Sequence, residues 1–165
     1  MKKTLFLLLT ISLIISSCTQ KNFSAETMKM SLTTTENKEI LFADILNKYK
    51  GKTIVLEVWA SWCSDCVKAM PKVKALQTNN PDVVYLFVSM DKKYEKWLEG
   101  IEKHEIKGEH FWANDLEMMK GKFGKSIDLD WIPRYMIIDK NQEIVTYRAI
   151  ETDFDKINAT LKTLK

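Results

Sequence analysis

Apolar positions along the chain follow three rhythms. From Leu5 to Ile15 they are nearly continuous, broken only by Thr10 and Ser12. Thr53–Trp59 and Val83–Ser89 are short dense runs with β-branched residues, the pattern of buried strands. Elsewhere the spacing is helical. Phe42, Ile45, Leu46 and Tyr49 precede Gly51, which predicts a short helix with a glycine stop. Ser64 to about Thr78 carries Val67, Met70, Val73 and Leu76, and Lys93–Lys103 carries Tyr94, Trp97, Leu98 and Ile101. A less regular segment follows, with helix expected from Asp115 to Phe123. Tyr135–Asp139 reads as a third strand, Lys140-Asn141 as a turn, Glu143–Tyr147 as a fourth strand, and Asp153–Leu164 as a closing helix capped at Thr152 or Asp153.

The predicted order is helix, strand, helix, strand, helix, helix, strand, strand, helix. Early alternation implies parallel strands joined by crossover helices, and the late hairpin adds antiparallel ones. The fold class is therefore α/β, a central mixed β-sheet flanked by helices on both faces. Thr19 to about Asn37 is polar. Its first part reads as a tether, its second part, around Met28–Thr33, as an edge strand.

Composition is that of one ordinary globular domain: 165 residues, 45% hydrophobic and 28% charged. A net charge of +3 without a dense Lys/Arg run gives no argument for nucleic acid. The N-terminus has a separate logic. Lys2 and Lys3 precede the short apolar run, and Ser16-Ser17 lead into Cys18, the layout of an export signal. Ile15-Ser16-Ser17-Cys18 also resembles the lipobox of bacterial lipoproteins, in which the cysteine is lipidated. That implies a signal peptide over residues 1–17 and a lipidated tether over 18–37, with the folded domain over 38–165. Each buried methylene adds about 0.8 kcal/mol, so several acyl chains anchor firmly. The expected location is the bacterial cell envelope, lipid-anchored and facing the periplasm or extracytoplasmic space.

The chain has three cysteines. With Cys18 assigned to lipid, the other two, Cys63 and Cys66, form the tetrad Cys63-Ser64-Asp65-Cys66. This tetrad lies where a buried strand gives way to a helix. Free N–H groups and the positive end of the macrodipole stabilise a thiolate there and lower its pKa from about 8.5. Cys63 is the expected exposed nucleophile and Cys66 the inner thiol that resolves a mixed disulfide. The blander readings are a permanent stapling disulfide or half of a metal site, but the loop is too tight to staple much and further ligands are lacking. Glu57 stands among Ile54, Val55, Leu56 and Val58. It is either an outward-facing residue at an open strand end or a buried acid with a raised pKa. Asp65, in the first helical turn, suits the dipole but places negative charge near the Cys63 thiolate, opposing it.

Trp59-Ala60-Ser61-Trp62-Cys63-Ser64-Asp65-Cys66 with Pro71 resembles the thioredoxin superfamily, and within it the exported TlpA/ResA-like branch, whose motif reads approximately W-A-S-W-C-x-P-C-x-x-x-x-P. The similarity runs from about Lys38 to the C-terminus, including an insertion between the second and third buried strands. It implies a thioredoxin-like fold and a redox-active Cys63–Cys66 disulfide, with no other cofactor and no metal. Pro133 would be cis and pack beside the disulfide, although only about 5–6% of X–Pro bonds are cis. The backbone of Ile132 would bind an extended substrate, Trp62 and Trp131 would flank the site, and Glu57 would relay a proton to and from Cys66. Asp65 departs from the proline usual before the second cysteine, and Arg134 from the usual threonine. Arg134 is either a cationic contact for substrate or a solvated side chain.

The resulting expectation is a membrane-anchored thiol–disulfide oxidoreductase reducing disulfides of exported proteins, with cytochrome c maturation or envelope redox homeostasis as settings. Its partners would be disulfide-containing exported proteins and a membrane electron donor, with no nucleic acid, and the protein would be a monomer. Asp65 points to a reductant rather than a strong oxidant. The alternatives are a peroxiredoxin-like thiol peroxidase, which wants T-x-x-C and a distant resolving cysteine, and a non-enzymatic metal-binding or chaperone module, such as a copper chaperone. Trp59, Trp97 and Trp112 read as packing residues. His104 and His110 read as surface residues.

Overall fold

The computed structural model describes residues 22–165. Cys18, the apolar run and the start of the tether lie outside the described residues. Seven strands form one mixed sheet in the order β2-β1-β5-β4-β3-β6-β7. Strand β3 (Ile54–Trp59) runs parallel to β4 (Val84–Ser89) and antiparallel to β6 (Arg134–Ile138). All six residues of β3 are buried. Successive strand side chains point to opposite faces, so both faces of the sheet are covered here. Helix α3 (Ser64–Asn79) follows β3, and α6 (Phe154–Thr163) packs against it. Pro71 lies within α3. Strand β7 (Ile144–Ala149) completes the late hairpin with β6.

The N-terminal half of the domain departs from the sequence reading. Strand β1 (Ser31–Thr34) is not an edge. It pairs with both β5 (Glu109–Trp112) and β2 (Glu39–Leu41), and β2 is the outer strand. Asn37, at φ 57°, turns the chain between β1 and β2. The folded unit also reaches further back than residue 38. Helix α1 (Ala25–Met28) is capped by the Ser24 hydroxyl, Thr27 Oγ1 donates to the Ser126 carbonyl at 2.8 Å, and Phe23 meets Phe42 of α2 (Phe42–Lys48) edge-on at 5.0 Å.

The insertion between β4 and β6 differs too. Helix α4 (Tyr94–His104) forms as expected, but β5 occupies part of the stretch read as irregular. The helix expected over Asp115–Phe123 is broken into a 3₁₀ turn (Met118–Lys120) and α5 (Lys122–Ser126). The Asp115 carboxylate accepts the backbone N–H groups of Glu117 and Lys122, a local alternative to the helical ladder. Asp153 sits at the N-terminus of α6 but its carboxylate accepts from Ile150 N instead of capping the helix. Trp97 is buried and stacks near Trp112, as the packing reading expects. His110 is only partly exposed: its ring stacks on Phe87 at 5.1 Å, and burial holds its pKa below the ordinary histidine value.

Candidate active site

Strand β3 delivers the chain to the carboxyl edge of the sheet, where Ala60 to Trp62 turn it into α3. Cys63 is the N-cap of that helix, and its Sγ accepts the backbone N–H of Cys66 at 3.1 Å. An N–H aimed at sulfur favours its ionised form, so the cap that starts the helix also serves the nucleophile. Cys63 and Cys66 are joined in a disulfide with their Cα atoms 5.3 Å apart. Cys63 keeps 6% exposure and Cys66 none. The order of access matches the sequence reading. The amount does not: Cys63 in the disulfide is nearly covered, because the loop before β6 lies against it. The Ile132–Pro133 bond is cis, and the Ile132 carbonyl stands 3.6 Å from Cys63 Sγ. Ile132 and Pro133 are themselves buried, while Trp62 and Trp131 are each 53% exposed. Two large apolar surfaces therefore stand open around a narrow point of access to one sulfur.

Beneath this surface, Glu57 is buried, which removes the reading of an outward-facing strand end. In register across the β3–β6 pair is Tyr135, whose hydroxyl donates to Glu57 Oε1 at 3.2 Å. Oε2 has no hydrogen-bond partner among the described residues. Desolvation pushes the Glu57 carboxyl up to about 8, with the tyrosine hydrogen bond working the other way. Tyr135 was not singled out in the sequence. Its signal was a hydroxyl-bearing residue in an otherwise apolar strand.

Asp65 is half-exposed, with Lys68 Nζ 3.8 Å away. Arg134 corrects both sequence readings. It is neither solvated nor open to substrate, but buried at 3% exposure and ion-paired with Asp130, with Nε and Nη1 unpartnered among the described residues. The strand it opens is buried at all five positions, and Asp130 lies one turn of chain upstream to receive its charge.

Sequence reasoning also missed Asp91. It is 1% exposed, and its carboxylate accepts Ser61 N at 2.9 Å, Ser61 Oγ at 2.7 Å and Ser89 Oγ at 2.7 Å. This ties the turn before Cys63 to the end of β4. An acid just past a buried strand, at the carboxyl edge of a parallel pair, was the available signal.

A tight disulfide at a helix N-terminus, with one sulfur reachable and a buried acid below, is a centre built for thiol–disulfide exchange. It places the protein in the class of thiol–disulfide oxidoreductases. The model of the family described as Thioredoxin-like matches residues 51–144, and the chain belongs to that family. An uncharacterised protein of Haemophilus influenzae is 34% identical over 71 residues, covering 37% of this chain and 45% of that protein. The match therefore spans less than half of that relative's length. Among solved structures, a proposed thiol-disulfide oxidoreductase from Bacteroides vulgatus is 25% identical. It superposes with a TM-score of 0.66 over 82% of this chain and 85% of its own. A secreted Mycobacterium tuberculosis disulfide oxidoreductase shares the fold at 16% identity and a TM-score of 0.64, over 86% of this chain and 100% of that one.

Proposed function

We propose that this protein reduces disulfides in exported proteins, working at the cell envelope from a lipid anchor at Cys18. The observation that carries the reading is the Cys63–Cys66 disulfide at the head of α3, in which Cys63 alone keeps contact with solvent. In the reduced protein, the Cys63 thiolate attacks a target disulfide. A bond forms between Cys63 Sγ and one target sulfur, and the other target sulfur leaves as a thiolate. Cys66 gives its proton to ionised Glu57 and attacks Cys63 Sγ. This closes the Cys63–Cys66 bond and frees the second target thiolate. Two electrons have then passed from protein to target, and a partner dithiol at the membrane restores the reduced pair.

Trp62 and the Ile132–Pro133 edge hold the target during this step. Asp65 sets the direction: its charge near Cys63 disfavours the thiolate and hence the reduced form, which makes the pair a better reductant. The envelope location draws on the export signal and on Ile15-Ser16-Ser17-Cys18. The description of the M. tuberculosis relative as secreted agrees with it. Cytochrome c maturation is one setting that fits.

The test is the reduction of insulin disulfides by dithiothreitol, with and without the protein. Acceleration that disappears in Cys63→Ser is expected. No acceleration by the wild-type protein contradicts the proposal.

A further inference from the structure

Ser61 and Trp62, immediately before Cys63, form one wall of an open groove of about 450 Å³. Its apolar surface comes from Trp62 and Met118. Its opposite wall carries Lys92, Lys93 and Lys96, all exposed. Three other grooves on the described surface draw no residue from the tetrad or the Ile132–Pro133 loop. This one alone among them begins at the residue that adjoins the reactive sulfur.

The charges around it are unequal. Lys96 Nζ is held by Glu99 at 2.6 Å, but Lys92 and Lys93 make no ion pair among the described residues. The nearest buried acid, Asp91, spends both carboxylate oxygens on Ser61 and Ser89. Besides Glu99, α4 carries two exposed acids, Glu95 in its first turn and Glu102 two turns further on. Two cations without an ion pair among the described residues therefore line an apolar trough that ends at Trp62, the residue before Cys63. Shape and charge both match an extended peptide with an apolar residue and carboxylates close to its cysteine.

We infer that this groove selects acidic substrates: it receives the segment flanking the target cysteine and pairs its carboxylates with Lys92 and Lys93. This deepens the oxidoreductase reading and rests on it. The redox step is unchanged. The groove acts on the encounter that precedes it, bringing the target sulfur to Cys63 and excluding partners with basic flanks.

The test uses the reduced protein and three disulfide-linked peptides, identical except for two residues beside the cysteine: Glu-Glu, Gln-Gln or Lys-Lys. The rate of peptide reduction is followed at low and high salt. The Glu-Glu peptide should react at least about fivefold faster than the Lys-Lys peptide at low salt, and the ratio should fall towards one at high salt. The ratio should be lost or inverted in Lys92→Glu/Lys93→Glu. It should persist in Lys50→Glu/Lys52→Glu, an equal charge change before β3, at the end of the strand away from Cys63. Equal rates for the three peptides, or a preference that survives Lys92→Glu/Lys93→Glu, overturns this inference and leaves the oxidoreductase reading standing. Failure to reduce even the Gln-Gln peptide overturns both.

Discussion

Tyr135 holds Glu57 by one oxygen only: the phenol donates to Oε1 at 3.2 Å, while Oε2 lies buried without a partner among the described residues. A carboxylate given one hydrogen bond in an apolar strand is poorly compensated for its lost water, which is why its pKa rises to about 8. The arrangement favours the protonated acid and brings its ionisation close to neutral pH, the range that the proposed proton exchange with Cys66 requires.

Stability should record this directly. Glu57 moves from an ordinary value of 4.5 up to about 8 on folding. Its contribution is thus fully present below about 4.5 and is lost as the pH rises to about 8. At about 1.4 kcal/mol per unit, the loss is a few kcal/mol. Denaturant unfolding of the oxidised protein, in which neither active-site cysteine titrates, should show stability falling across this window. Glu57→Gln should flatten the fall. A wild-type profile as flat as that of Glu57→Gln contradicts the account.

Removing the tyrosine hydroxyl should move the acid in the opposite sense to its hydrogen bond. In Tyr135→Phe, nothing lowers the Glu57 pKa, so the rising, acid limb of the pH–rate profile for closing the Cys63–Cys66 bond, which follows ionisation of the base, should shift upward, by about one unit or less. Single-turnover kinetics across pH 6 to 10 measure it. A shift downward would show that the phenol does not stabilise the ionised acid.

Asp65→Asn removes a negative charge beside the nucleophile while keeping its shape. The Cys63 thiolate gains stability, and the reduction potential should rise by about 10–30 mV, the smaller end favoured by solvent and by Lys68 at 3.8 Å. Equilibration with a glutathione buffer reads the potential. A wild-type potential already near the roughly −120 mV of DsbA would refute the reductant assignment.

The turn before the disulfide is held from two sides, by Asp91 and by Gly100 of α4. A Cβ at Gly100 would meet Ser61 Cβ at 2.5 Å and the Trp59 ring at 3.3 Å. Alanine would gain up to about 1 kcal/mol in helix propensity, yet overpacking here costs about 1–3 kcal/mol. The net effect of Gly100→Ala should be destabilising. Asp91→Ala should cost more, about 3 kcal/mol, because it strands three donors at once. Thermal melts rank the two.

How much of this was readable in the sequence depended on the length and closure of each element. Strands β3, β4 and β6 are five or six residues long and almost wholly buried, so their composition announces them. Strands β2 and β5 are three and four residues long, and β5 buries only Phe111 fully, leaving no period to read. The pair Cys63/Cys66 was legible because covalent spacing defines it. Its supports were not. Tyr135 meets Glu57 only through the β3–β6 register, Asp91 meets Ser61 from 30 residues away, and Arg134 finds Asp130 inside the fold. Each is a side chain whose partner is set by topology, which the local pattern does not encode.

The central claim is that Cys63 attacks and Cys66 resolves. It is tested most directly by incubating reduced Cys66→Ala with an excess of a disulfide-linked peptide and measuring the intact mass under non-reducing conditions. The account predicts one peptide adduct per protein, on Cys63, stable until dithiothreitol is added. In the reciprocal Cys63→Ala, fully buried Cys66 should form little or none. An adduct that forms faster on Cys66 than on Cys63, or none on either, would contradict it.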